Sequence, residues 1–180
     1  MVCVNFDMCG YFGSAPNYLK YYGLDFEYES FEHNFFTFQS DGQVLAGHTF
    51  KPKEYKGTVI VLHGFFGHCG LLKHLIKYLI EQSYAVACYD MQGHGLSTGE
   101  LAGIEDFSRY SYALRDFVNV VQPQLKGPYH LIGHSLGGAA VLDYLLTYKD
   151  NVFKNIVLAA PLVRSSFWKL SKIGFRLYRP

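Results

Sequence analysis

The residues with the plainest chemical content lie in "YHLIGHSLGG", residues 129–138. Gly133-His134-Ser135-Leu136-Gly137 follows the pattern G-x-S-x-G, in which a serine stands on a sharp turn between a strand and a helix. Such a turn strains the serine backbone and lifts the hydroxyl clear of the sheet. Gly133 and Gly137, two residues to either side, must be small because strand and helix nearly collide there. A hydroxyl so placed is a candidate nucleophile for acyl transfer. It needs a base to take its proton and N–H donors to receive the negative charge that develops on the substrate oxygen. Expected donors are the backbone N–H of Leu136, at the positive end of the following helix, and that of Phe65, just after "VIVLHG".

Three other positions stand out beside this serine. His63 and Gly64 end one apolar run and Asp90 ends the next. His63 is expected to organise its loop through hydrogen bonds rather than to serve as base. Asp90 is expected to accept loop N–H groups, with Gly93 and Gly95 allowing the turn and His94 and Ser97 fixing it. His134 adjoins the serine, but neighbouring side chains at such a turn diverge.

The elements that must position these residues follow from periodicity. "FEHNFFTF" and "VLAGHTF", separated by a turn at "QSDGQ", predict a β-hairpin. "GTVIVLHG" is a continuous apolar run of the kind covered on both faces of a sheet, "YAVACYD" is another buried strand, "YHLIGH" is a strand and "NIVLAAP" a last strand. Between them, "LLKHLIKYLIEQ" has helical spacing with Leu72, Leu75, Ile76 and Leu79 on one side. "IEDFSRYSYALRDFVNVV" has Phe107, Leu114, Phe117, Val118 and Val121 as its apolar face, and "LGGAAVLDYLLTY" follows the serine. Strands alternating with helices predict an α/β fold with a mostly parallel sheet and right-handed crossovers. Ligands in such sheets sit at the carboxyl ends of the strands, which is where His63, Asp90 and Ser135 fall.

The chain has 180 residues, 49% of them hydrophobic and 17% charged, with a net charge of +1. That balance argues against nucleic acid as a partner. No basic leader or apolar run of spanning length is present, and Cys3, Cys9, Cys69 and Cys88 form no CxxC pair. Reduced thiols, no metal and a cytoplasmic location are therefore expected. Residues 1–29 form an aromatic-rich segment, 30–162 the α/β core, and 163–180 the start of a cap or lid helix.

In order, "HGFFGH", "DMQGHGLSTG" and "GHSLGG" resemble the α/β-hydrolase superfamily, in particular its branch of monoacylglycerol lipases, lysophospholipases and serine aminopeptidases. The resemblance runs from Phe31 to Leu162 and implies a serine hydrolase of carboxylic esters, typically lipid acyl esters, that needs no cofactor. Carried over, Ser135 is the nucleophile, and Phe65 and Leu136 supply the oxyanion N–H groups. Lipases of this group usually show H-G-x-G-E-H, whereas this chain has Phe66 and Gly67 in place of the Gly-Glu.

The triad order of the superfamily is Ser, then Asp or Glu, then His. After Ser135 the only acids are Asp143 and Asp150, and residues 151–180 contain no Asp, Glu or His. The expectation is that the triad acid and histidine are absent from this chain. It would then be the N-terminal part of a hydrolase, lacking the last two strands and most of the cap, with little turnover of its own. "NIVLAAP" would be an open edge strand prone to self-association. A rival reading rests on residues 164–180, where Arg164, Lys169, Lys172, Arg176 and Arg179 flank an apolar stripe. It makes the chain a non-catalytic remnant acting at a membrane surface or on a partner.

Overall fold

The computed structural model describes residues 15–26, 31–149 and 151–163. The basic stripe of residues 164–180, the start of the expected cap, and most of the aromatic N-terminal segment lie outside them. Six strands form one sheet: β1 (Phe31–Ser40), β2 (Gln43–Pro52), β3 (Thr58–Leu62), β4 (Ala85–Tyr89), β5 (Tyr129–His134) and β6 (Phe153–Ala159). Their spatial order is β1-β2-β4-β3-β5-β6. β1 and β2 form the expected hairpin, and β2 pairs antiparallel with β4. β4, β3, β5 and β6 run parallel, as strands joined by helical crossovers must.

Among the described residues, four helices cover the sheet: α1 (Ala15–Tyr22), α2 (Lys73–Glu81), α3 (Ser108–Val121) and α4 (Leu136–Thr147). Strand periodicity divides their work. In β3, Val59 and Val61 face one layer with Tyr18, Leu24 and Ile76, whereas Ile60 and Leu62 face Leu114, Phe117 and Val141 in the other. Burial on both faces explains why β3 and β4 read as continuous apolar runs.

Two helix starts differ from the periodicity. Residues Cys69–Leu72 form a 3₁₀ turn, so α2 begins at Lys73. His68 sets this turn by accepting the N–H of Gly70 on its side chain. Phe107, expected on the apolar face of α3, instead precedes the helix and is 39% exposed, while Tyr110 and Ala113 take the buried positions. The helix is launched by Asp106, whose carboxylate accepts both the N–H and the hydroxyl of Ser108.

The hairpin encloses a pair of imidazoles. His33 Nε2 lies 3.1 Å from His48 Nδ1, and the His48 ring is stacked on Tyr18. Burial pushes the pKa of His33 down to about 3 and that of His48 down to about 4, against the weaker pull of Asp90 on His48 in the other direction. Both are therefore neutral in the fold and take up protons only on unfolding. Stability is full above the unfolded value near 6.5 and falls as pH drops from there toward the folded values. At pH 5 one such histidine removes about 2 kcal/mol. With both histidines contributing, the melting temperature should drop by roughly 10 °C between pH 7.5 and pH 5. Thermal scans of His33→Leu should show a visibly smaller drop; an equal drop would place the acid sensitivity elsewhere.

Candidate active site

Ser135 occupies the junction between β5 and α4 with φ 50° and ψ −111°. A non-glycine residue at positive φ is strained, and three backbone contacts hold it there. The Ser135 N–H donates to the Ala159 carbonyl at 2.9 Å. Its carbonyl accepts from Ala139 at 3.0 Å and from Leu162 at 2.9 Å. The Leu162 bond joins the segment leaving β6 to the turn that holds the serine. Nothing in the local pattern of "APLV" signals it.

The glycines flanking the serine sit where a side chain has no room. A Cβ on Gly137 would lie 2.6 Å from the His63 carbonyl oxygen, and one on Gly133 would lie 2.7 Å from the Gly137 carbonyl oxygen. This contact makes possible the hydrogen bond from Gly137 N–H to the His63 carbonyl, 3.1 Å, which ties the start of α4 to the end of β3. Gly64 is similarly confined: its Cβ would come within 2.8 Å of His134 Nδ1 and 3.3 Å of Ser135 Cβ. Phe65 and Leu136 each follow directly from these joined positions.

Leu136 opens α4, so its N–H is one of the first-turn donors with no partner inside the helix. Phe65 is the second residue of a tight turn closed by Gly67 N–H to the Gly64 carbonyl, 2.9 Å. The closing bond leaves the Phe65 N–H outside the turn. The third residue of that turn, Phe66, has φ 57°, a conformation usually reserved for glycine. Its ring is 74% exposed and packs on Phe65 with centroids 4.3 Å apart. One of the two departures from H-G-x-G-E-H, Phe66, thus falls on the one position of the turn whose backbone calls for glycine.

His63 is fully engaged. Its Nε2 accepts the Met91 N–H at 2.9 Å, so the proton is on Nδ1, which donates to the Gly64 carbonyl at 2.8 Å. Burial pushes its pKa down, opposed by Asp90. With both nitrogens bonded to backbone, it has none to offer Ser135. Asp90 is buried; its carboxylate accepts the N–H groups of Cys69 at 2.7 Å and Leu96 at 2.8 Å. Gly95 lets that second loop pass, since a Cβ there would overlap the carboxylate.

His94 donates its Nδ1 proton to the Gln92 carbonyl at 2.9 Å, and Ser97 accepts the Ala46 N–H at 2.9 Å while donating to the Asp90 carbonyl. Thr98, not singled out from the sequence, adds a second tie by accepting the Val44 N–H at 2.9 Å. Its position directly after Ser97 is the one signal the sequence offers for it. Among the described residues no histidine bonds to Ser135, and no group of three His, Cys, Asp or Glu side chains is arranged to hold a metal. No helix among them is long and apolar enough to cross a membrane.

The hairpin, the parallel sheet and the strained serine between β5 and α4 define an α/β hydrolase. Residues 53–177 match the family model of the serine aminopeptidase S33 hydrolases, and the chain belongs to that family, on its monoglyceride-lipase-like branch. It is 33% identical to the monoglyceride lipase of Rattus norvegicus over 126 residues, covering 69% of this chain and 41% of that one. Monoacylglycerol lipase of Mycolicibacterium smegmatis is 29% identical over 113 residues, 61% of this chain and 39% of that one. The chain thus spans about 40% of the length of these relatives. In fold it is similar to the α/β hydrolase GrgF of Penicillium sp. sh18, with a TM-score of 0.66 at 22% identity, covering 81% of this chain and 53% of that one. The thermostable carboxyl esterase of Bacillus coagulans gives 0.61 at 24% identity, covering 72% and 44%.

Two substitutions in this region should act in opposite directions. Phe66→Gly relieves a left-handed residue and should raise stability by about 1 kcal/mol. Gly137→Ala forces a methyl into backbone oxygens and should cost roughly 2 kcal/mol or more. Chemical denaturation of both variants checks this, and a neutral Gly137→Ala would contradict the close approach.

Proposed function

We propose that this chain is the nucleophile-bearing part of a serine hydrolase of carboxylic esters, with lipid acyl esters as the substrate class. The observation that carries the reading is the strained Ser135 held beside two unshared backbone donors, at Phe65 and Leu136. Ser135 Oγ attacks the ester carbonyl carbon while a base removes its proton. The carbonyl oxygen takes the negative charge and accepts hydrogen bonds from the N–H groups of Phe65 and Leu136. Collapse of this intermediate expels the alcohol and leaves an acyl group on Ser135, which water then removes. His63, Gly64, Asp90, Gly133 and Gly137 position these atoms without touching substrate. The similarity to monoglyceride lipases and the exposed rings of Phe65 and Phe66 beside the donor loop support an apolar acyl group.

In this reading the base and its acid partner come from outside the 180 residues. His63 is bonded to backbone on both nitrogens, and His134 stands on the residue adjacent to Ser135, where side chains of such a turn are expected to diverge. Removing a triad member has lowered kcat by about a million-fold in a serine protease. The chain alone should therefore hydrolyse p-nitrophenyl butyrate no faster than its Ser135→Ala variant. Added imidazole should supply the missing base and restore turnover that depends on Ser135. Serine-dependent turnover without imidazole would place a base within the chain. Equal rates for the two proteins at every imidazole concentration would overturn Ser135 as nucleophile.

A further inference from the structure

Cys69 and Cys88 approach each other from two elements that are fixed separately. β4 alternates its side chains between the two layers: Ala85, Ala87 and Tyr89 join the layer of α3 and α4, whereas Val86 and Cys88 join that of α1 and α2. Cys69 opens the 3₁₀ turn in that second layer, and its N–H donates to the carboxylate of Asp90, two residues beyond Cys88, at 2.7 Å. The Cys69 thiol lies within hydrogen-bonding reach of the Cys88 thiol and of the Asp90 side chain. Both cysteines are buried and unbridged, and the reaction proposed for Ser135 uses neither.

The surroundings disfavour a thiolate and tolerate a disulfide. Burial pushes the Cys69 thiol well up, and Cys88 and Asp90 push it further the same way, so the closed fold holds a neutral thiol. A disulfide carries no charge to desolvate. It also leaves Asp90 supplied, because the carboxylate still accepts the N–H groups of Cys69 and Leu96. The sulfurs must close to a bond of about 2 Å. β4 is held on both sides by β2 and β3, so the short turn carrying Cys69 makes that movement.

We propose that Cys69 and Cys88 form a modification site, a dithiol that hydrogen peroxide oxidises to a disulfide joining the 3₁₀ turn to β4. Local opening of the turn exposes Cys69, whose thiolate attacks one peroxide oxygen. The O–O bond breaks, and the other oxygen takes up the thiol proton and leaves as water. The sulfenic acid so formed loses its S–O bond to attack by the Cys88 sulfur, which releases a second water and closes the S–S bond. The two thiols thus give up two electrons, and the peroxide is reduced to two waters. The bridge encloses α2 in a loop of about 20 residues and so restricts the unfolded chain. A thiol reductant reverses it. The pair lies wholly between β3 and Asp90 and stands apart from any activity of Ser135.

The test exposes the full 180-residue chain to hydrogen peroxide under native conditions, alkylates the remaining thiols and maps the tryptic peptides by mass. Cys69 falls in peptide 57–73, Cys88 in 78–109, and Cys3 and Cys9 together in 1–20, so each pairing has its own linked mass. Peptides 57–73 and 78–109 should appear joined, lighter by two hydrogens than their sum. The melting temperature should rise by about 5–10 °C, and dithiothreitol should reverse both changes. Cys69→Ala and Cys88→Ala should each abolish the linkage and the rise; where a variant folds poorly, the map of the parent decides. Cys69 and Cys88 recovered as alkylated thiols at every peroxide concentration would overturn the inference. Oxidation of either one singly, or its pairing with Cys3, Cys9 or a second chain, would do the same. A 69–88 linkage that leaves the melting temperature unchanged or lower would also overturn it, because the bridge would then clamp nothing.

Discussion

The approach of α4 to the end of β3 is the contact on which the rest of the candidate site depends. Gly137 donates to the His63 carbonyl at 3.1 Å, and no Cβ fits at either Gly133 or Gly137. A helix entering that close to the strands brings its first-turn N–H groups to the carboxyl end of the sheet, where the β3 loop also ends. Phe65 lies two residues past His63, whose carbonyl Gly137 binds, and Leu136 one residue past Ser135. Move α4 out by the width of a methyl group and the two N–H groups no longer belong to one site. The small residues that follow, Gly138, Ala139 and Ala140, are all buried and extend the same close packing along the helix.

A second constraint keeps the loops around that contact from shifting. Asp90 is buried at the end of β4 and accepts one N–H from each of two loops, at Cys69 and Leu96. His63 links β3 to the same point through the Met91 N–H. Backbone donors thus converge on two side chains, and each side chain is satisfied by more than one segment. Buried groups used this way fix relative loop positions, because releasing one strands a polar atom away from water. Ser97 and Thr98 complete the arrangement by fastening the Asp90 loop to the amide groups of β2. The antiparallel hairpin, remote from Ser135 in sequence, in this way supports the loop that carries Leu96.

Much of this is legible in the sequence, and for identifiable reasons. The continuous apolar runs mark β3 and β4 because a strand covered on both faces has no polar side to show. G-x-S-x-G marks its own turn because steric exclusion at two positions leaves only small residues. What escapes is decided by contacts between distant segments. Phe107 fits the helical period of α3, but the chain turns into the helix one residue later, at Ser108, and Asp106 caps that start. Leu162 is an ordinary leucine whose role lies in its N–H, which no side-chain pattern reports. The His33–His48 pair joins residues that are neighbours only through the hairpin register, where His33 stands opposite Phe50 and His48 opposite Phe35. Phe66 is visible as a departure from the family's glycine, yet only its φ of 57° shows that it carries a left-handed, strained backbone.

The strain at Ser135 bears on whether nucleophile and base must be built together. A serine at φ 50° persists only if its surroundings outweigh the cost of that conformation, of order 1–3 kcal/mol. Here the surroundings are the Ala159 carbonyl, the Leu162 N–H, the α4 ladder through Ala139, and the packing of Gly137 against β3. None of these involves a histidine side chain or an acid of a triad. The turn is held by backbone groups of β5, β6 and α4, so its geometry is set wherever those elements are folded. Placement of the proposed nucleophile and its proposed oxyanion donors is therefore separable from placement of a base. A fold of this kind can lose or relocate its proton acceptor without losing the strained serine, because the hydrogen bonds that maintain the strain point the other way.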